Sequence, residues 1–219
     1  MTERSQVAAA YDAAAEGYDE RADADPRNRR RTAILDRLQL DAVCAAKRVL
    51  ELGCGTGRLL VQSTARERFG VDISEAMLDR ARARGLDVAL ADAQDLPLRD
   101  ASVDGIIAGK GVFRYLEPAA ALAECARVLA PGGVLAFHQY GADPWSFRRS
   151  EPAPPGTWHV GELDEILVPA ARAGLQVRAV HRFRSVRIPP YLLRIPASLD
   201  ALAPQKLWNH CVIVLARPG

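Results

Sequence analysis

Short apolar runs alternate with stretches of helical periodicity along this chain. Residues 5–18 are alanine-rich and predict a helix, and the polar stretch Asp23–Pro26 breaks it. A second helix is predicted over Arg29–Leu38, with Ile34, Leu35 and Leu38 on one face. Arg48–Leu52 is short and apolar and predicts a first buried strand. A glycine turn follows, and a helix is expected from Thr56–Gly57. Phe69–Asp72 reads as a second strand. Ser74 is a good N-cap for a helix over Glu75–Arg84, and Gly85 suits its C′ position. Leu86–Ala91, Val103–Ala108 and Val134–Gln139 predict three further strands. Ala119–Leu129 repeats Leu122, Ala126 and Leu129 at helical spacing, and Pro131-Gly132-Gly133 predicts a turn. Glu162–Ala173 reads as a helix stopped by Gly174, Leu175–Val186 as a sixth strand and Val212–Ala216 as a last one. Residues 141–157 and the proline-rich residues 187–206 read as irregular segments. Strands alternating with helices imply an α/β fold: a mostly parallel sheet with helices on both faces.

Composition narrows this picture. A chain of 219 residues suits a single domain, 1–219, with 187–206 as an insertion before the last strand. Hydrophobic residues are 49% and charged residues 26%, which predicts a folded globular protein. The net charge of +2 carries no strong nucleic-acid footprint, so nucleic acid is not the expected partner. Arg27, Arg29, Arg30 and Arg31 form the one basic cluster and read as a solvated helix face or a guard over an anionic ligand. Cys44, Cys54, Cys125 and Cys211 show neither a CxxC pair nor zinc spacing, so reduced, mostly buried thiols and no metal are expected. No run approaches the roughly 20 apolar residues of a membrane span. With no apolar signal region at the N-terminus, the expected location is the cytoplasm.

The chemistry gathers where the first strand ends. A glycine turn between strand and helix lets the backbone approach a ligand, and the helix N-terminus offers free N–H groups. A dinucleotide turn reads GxGxxG. Here Glu51 is followed by Gly53, Gly55 and Gly57, with Arg58 next, so the third pyrophosphate glycine is missing. Asp72 ends the second strand 21 positions after Glu51, where a carboxylate can accept both ribose hydroxyls. An acid there suits NAD as well. Asp92-Ala93 ends the third strand, where an acid can accept from an adenine amino group and the next N–H can meet a ring nitrogen.

These stretches resemble the class I, Rossmann-like S-adenosylmethionine (SAM)-dependent methyltransferases. The chain looks most similar to the small-molecule branch that includes ubiquinone and menaquinone biosynthesis enzymes. The matching segments, in the family's order, are Val49–Gly57, Gly70–Leu78, Ala91–Leu98, Ser102–Ile107 and Val128–Leu135. The resemblance implies a doubly wound, seven-stranded sheet in the order 3-2-1-4-5-7-6, mostly parallel with an antiparallel last strand. It also implies an N-terminal helical lid over residues 1–40. Glu51, Gly53, Cys54, Gly55 and Gly57 would line the methionine part of SAM, with Gly109 beneath it. Asp72 would hold the ribose, Ile73 and Met77 would pack near the adenine, and Asp92 and Ala93 would read its edge. Tyr11 and Tyr18, each followed by Asp, match a closing N-terminal helix that reaches the SAM carboxylate. S-adenosylhomocysteine (SAH) would be the product. No Asn/Asp-Pro-Pro-Tyr/Phe signature and no catechol-type metal-binding acidic cluster is present.

The acceptor is less legible. Methyl transfer from a sulfonium needs alignment, and it needs a base only when the acceptor must lose a proton. His138, closing strand five at the ligand-binding edge, is the expected catalytic residue, ahead of His159 and His210, while His181 reads as structural. Phe113, Tyr115, Tyr140, Trp145, Phe147 and Trp158 gather in loops that suit an apolar pocket wall, and Lys110 and Arg114 suit an acidic substrate. The expected activity is methyl transfer to O, N or C of a small molecule by a monomer or homodimer. RNA or protein methylation, a nucleotide-cofactor oxidoreductase and a SAM-binding regulator are the competing readings.

Overall fold

The computed structural model describes residues 3–109, 111–140, 163–183 and 210–219. Lys110, Trp145, Phe147, Trp158, His159 and the expected insertion at 187–206 lie outside them. In chain order the elements are α1 (Glu3–Ala14), α2 (Tyr18–Asp23), α3 (Pro26–Ala42), β1 (Arg48–Leu52), β2 (Glu67–Asp72), α4 (Glu75–Ala83) and β3 (Asp87–Leu90). Then follow β4 (Val103–Ala108), α5 (Pro118–Val128), β5 (Leu129–Tyr140), α6 (Asp164–Arg172), β6 (Gln176–Phe183) and β7 (His210–Ala216). The strands form one seven-stranded sheet in the order β3-β2-β1-β4-β5-β7-β6. Strands β1 to β5 pair in parallel, and β7 runs antiparallel between β5 and β6. This is the expected doubly wound order.

Side chains of successive residues face opposite sides of the sheet, so each strand feeds two cores. Leu50, Leu52, Ile106, Leu135, Phe137, Ile213 and Leu215 pack with α5 and α6 on one face. Val49 and Ile107 pack with Val43, Leu60, Ala81 and Leu86 on the other, and Ala136, Val212 and Val214 pack there against Leu35 of α3. Near-continuous burial of the central strands is what a parallel sheet covered on both faces demands. Strand order reverses between β1 and β4. Their carboxyl ends open the crevice in which open α/β sheets bind ligands.

Local chemistry sets the helix ends. Asp25 caps α3 by accepting from the Arg27 N–H, with Pro26 at the first helical position. Ser74 caps α4 through the Met77 N–H at 3.2 Å. Glu117 caps α5 through two N–H groups, at 3.0 and 2.6 Å. Each such cap contributes about 1 kcal/mol.

Three expectations change. The helix expected over 5–18 is two helices, because Gly17 takes φ 63° and turns the chain before α2. The helix expected from Thr56–Gly57 is replaced by a single 3₁₀ turn, Leu60–Gln62. Its Leu60 N–H donates to the buried Glu51 carboxylate at 2.8 Å, and Glu67 already opens β2, which leaves no room for a longer helix. The Pro131-Gly132-Gly133 turn lies within β5, whose pairing with β4 shifts register there. Arg217 clasps it by backbone bonds to Gly132 and Gly133.

Candidate functional site

A cavity of about 270 Å³ opens at the switch point, above the carboxyl ends of β1, β2 and β3. Gly53, Gly55, Asp72, Ile73, Met77, Asp92 and Ala93 line it, with Tyr11 and Tyr18 contributed by the N-terminal helices. Nine of the residues expected from the sequence therefore meet at one place. Gly53 needs the absence of a side chain. Its φ is 58°, and a Cβ there would sit 2.7 Å from Val112 Cγ2. The turn after β4 thus presses directly on the turn after β1.

Asp72 is fixed from two sides. One carboxylate oxygen accepts from the Gly55 N–H at 2.7 Å and the other from the Ser74 N–H at 2.9 Å. Burial pushes its pKa up, while these N–H groups oppose the shift. The glycine turn and the β2 carboxylate are therefore one unit.

The remaining expected residues lie behind the cavity wall. Glu51 is 2% exposed, and burial holds its carboxyl well above the usual carboxylate range. A Cβ on Gly109 would lie 3.4 Å from Glu51 Oε1, so these two pack together under the glycine turn. Cys54 points back at the sheet against Gly70, and burial raises its thiol pKa. Gly57 packs on Leu86 and Ala81. His138 is fully buried in β5 and does not line the cavity; its ring meets Tyr140 edge-on at 4.7 Å.

The sequence reading missed Arg4, Val7, Ala91, Gln94, Val112 and Leu116, all of which line the cavity. Ala91, Gln94, Val112 and Leu116 come from the loops after β3 and β4, and Arg4 and Val7 reach the cavity because α1 docks there. Asp12 accepts from the Ser74 hydroxyl at 2.6 Å and from the Ala76 N–H at 3.1 Å, at the N-terminus of α4. Asp19 accepts from Thr56 Oγ1 at 2.9 Å and pairs with Arg84. Asp23 pairs with Arg58 at 2.9 Å. The two Tyr-Asp pairs thus divide their labour: the aspartates clamp α1 and α2 to the loops, and the tyrosines face the cavity. Tyr11 donates to the Tyr115 hydroxyl at 3.1 Å, and burial raises the pKa values of both Tyr11 and Tyr18, so both stay neutral donors. Arg4 forms an ion pair with Asp92.

Residues 50–137 match the methyltransferase-domain family. A probable SAM-dependent methyltransferase of Mycolicibacterium smegmatis is 36% identical over 125 residues, covering 55% of this chain and 48% of that protein. A probable tRNA methyltransferase 9B of Mus musculus is 35% identical over 99 residues, covering 43% of this chain and 22% of that protein. The chain therefore spans less than half the length of these relatives. Among solved structures, the complex between the Haloferax volcanii Trm112 methyltransferase activator and a methyltransferase aligns with TM-score 0.68 at 23% identity. That alignment covers 95% of this chain and 98% of the other. Over residues 50–137 the chain is thus similar to SAM-dependent methyltransferases, and its sheet order is the Rossmann-like fold of the aligned structure. The likeness is to methyltransferases at large and singles out no branch.

Proposed function

We propose that the chain is an enzyme that transfers a methyl group from SAM to a small-molecule acceptor. The observation that carries the reading is the meeting in one cavity of Gly53 and Gly55, Asp72, Asp92 and the two lid tyrosines, from four separate segments. The residues suit the group. Gly53 and Gly55 leave space for the methionine end, and the Gly55 N–H is committed to Asp72. Asp72, already oriented by two N–H bonds, keeps lone pairs for ribose hydroxyls. Ile73 and Met77 offer apolar surface to the adenine, and Asp92 with Ala93 meets its polar edge. Bound SAM supplies an activated methyl that leaves its sulfonium by in-line displacement. The chain's own part is alignment and exclusion of water, with α1, α2, Tyr11 and Tyr18 as the cover.

His138 enters the proposal as a positioning residue. Full burial and its edge-on contact with Tyr140 favour support of that ring over direct proton abstraction. Four free thiols, with Cys125 and Cys211 pushed up to about 12 by burial, support a reducing, cytoplasmic setting. The name of the mouse relative favours a second reading, with RNA as acceptor. Titration calorimetry of the full chain with SAM, SAH and NAD tests the donor: SAM and SAH are expected to bind and NAD to give no heat. Binding of NAD alone would refute the reading. Labelled SAM with a cell extract then separates the acceptors, because label in RNA and in no small molecule favours the second.

A further inference from the structure

The turn between β4 and α5 places one more group beside the cavity. Val112 and Tyr115 line the cavity, and Arg114 stands between them on the 3₁₀ turn Val112–Tyr115. The Arg114 guanidinium carbon lies 5.5 Å from the Tyr115 ring centroid and 5.3 Å from that of Tyr140. The cation is thus wedged between two aromatic faces at the ends of β4 and β5. Gly111 makes this packing fit: its φ is 88°, and a Cβ there would come within 3.2 Å of Tyr140 Cε2 and 3.5 Å of Arg114 Cδ.

Three other arginines around the cover are held in ion pairs. Arg4 pairs with Asp92, Arg58 with Asp23 and Arg84 with Asp19. Arg114 is half-buried, and among the described residues no carboxylate forms an ion pair with it. Ring faces hold a guanidinium without consuming its N–H donors, and the Tyr140 hydroxyl takes one. The planar fork stands against Tyr115 of the cavity wall, in surroundings dry enough to raise the pKa values of Tyr11 and Tyr140. A fixed, half-desolvated guanidinium with spare donors is matched by paired anionic oxygens.

We infer that the methyl acceptor is a small molecule carrying a carboxylate or phosphate group, and that Arg114 holds that group at the end of β4. The inference rests on the methyltransferase reading and assigns the substrate class of the same site. Tyr115 and Tyr140 position the guanidinium, and the His138 ring packs on Tyr140 at 4.7 Å.

The test divides a low-molecular-mass cell ultrafiltrate on an anion-exchange resin at neutral pH before any reaction. The flow-through and the salt eluate are each incubated with the full chain and methyl-labelled SAM. Label is expected with the eluate. Labelling only with the flow-through, only in the macromolecular retentate, or with no fraction overturns the inference. Arg114→Gln is expected to raise KM for the eluate acceptor roughly ten- to a hundredfold, the loss of a charge-assisted bidentate contact, with SAH affinity within about threefold of wild type. Arg114→Lys, which keeps the charge, should recover part of that loss. An equal fall in SAH affinity and thermal stability with unchanged KM would show Arg114 to be structural and overturn the inference. Calorimetry with SAH keeps the two readings apart. Failure of SAH to bind sinks the methyltransferase reading itself, whereas SAH binding with neutral acceptors sinks the anionic acceptor alone.

Discussion

The floor of the cavity and its cover are held by different forces. The floor is Gly53, Gly55 and Asp72 at the ends of β1 and β2, bonded backbone to carboxylate and backed by the fully buried Val49, Leu50 and Leu52. The cover, α1 and α2, buries little apolar surface; Val7 and Ala15 are its buried hydrophobics. It is held by side-chain pairs: Asp12 to Ser74, Asp19 to Thr56 and Arg84, Asp23 to Arg58 and Arg4 to Asp92. Apolar burial contributes roughly 25 cal/mol per Å², whereas partly exposed ion pairs contribute about 0–1 kcal/mol each. The floor should therefore persist without ligand, and the cover should open under salt or substitution while the sheet stays folded.

The largest effect should come from the floor. Gly53→Ala introduces a Cβ at positive φ against Val112, which should destabilise the chain by about 3 kcal/mol and abolish SAH binding. Urea denaturation and calorimetry measure both. A stable Ala variant that binds SAH normally would show that the turn has slack. Asp72→Asn should weaken SAH binding roughly tenfold to a hundredfold and lower stability by about 1–3 kcal/mol, since the amide oxygen accepts one N–H and the amide nitrogen leaves the other without an acceptor.

The cover should respond differently. Asp12→Ala removes the contacts with Ser74 and Ala76, leaving Ser74 to cap α4 through Met77. Global stability should fall by no more than about 1 kcal/mol. Protease cleavage within residues 3–23 should accelerate, and more so in high salt. Equal cleavage rates in variant and wild type would mean that the cover is held by something other than these pairs.

The smallest effect is a pH slope in the floor. The native pKa of Glu51 lies well above its unfolded value because burial penalises the charged form. Its stabilising contribution is complete below the unfolded pKa and is lost as pH rises through the native one. The ligand-free chain should therefore lose stability as pH climbs out of the ordinary carboxylate range. Glu51→Gln, which keeps an acceptor for the Leu60 N–H, should flatten that decline. Asp72, shifted in the same direction, leaves a residual slope. A denaturation series across pH in which both chains decline alike would contradict the assignment.

Legibility followed the same division. The glycine turn, Asp72 and Asp92 are marked by residue types that few local roles demand together, and they line the cavity as expected. Glu51 and Gly109 carry the same motif yet pack behind the wall. A motif records which residues are near a ligand, not which of them touch the space it fills. Arg4 gave no signal, because its place depends on the docking of α1 some ninety residues away in sequence from Asp92. The helix expected after the glycine turn fails because the turn motif does not reveal that Leu60 is tied to a buried carboxylate. His138 was read from its position at a strand end, where only packing tells an inward ring from a cavity-facing one.

By itself the sequence determined the alternation of strands and helices, the sheet's composition and the glycine turn, Asp72 and Asp92 that meet at the cavity. Periodicity and glycine placement are local properties, and local chemistry enforces them. The tertiary structure alone decided the break at Gly17 that separates the lid helices, the clamping of Asp12 and Asp19 onto distant loops, and the wedging of Arg114 between Tyr115 and Tyr140. Those arrangements join residues far apart in the chain through side-chain contacts that only folding brings within reach.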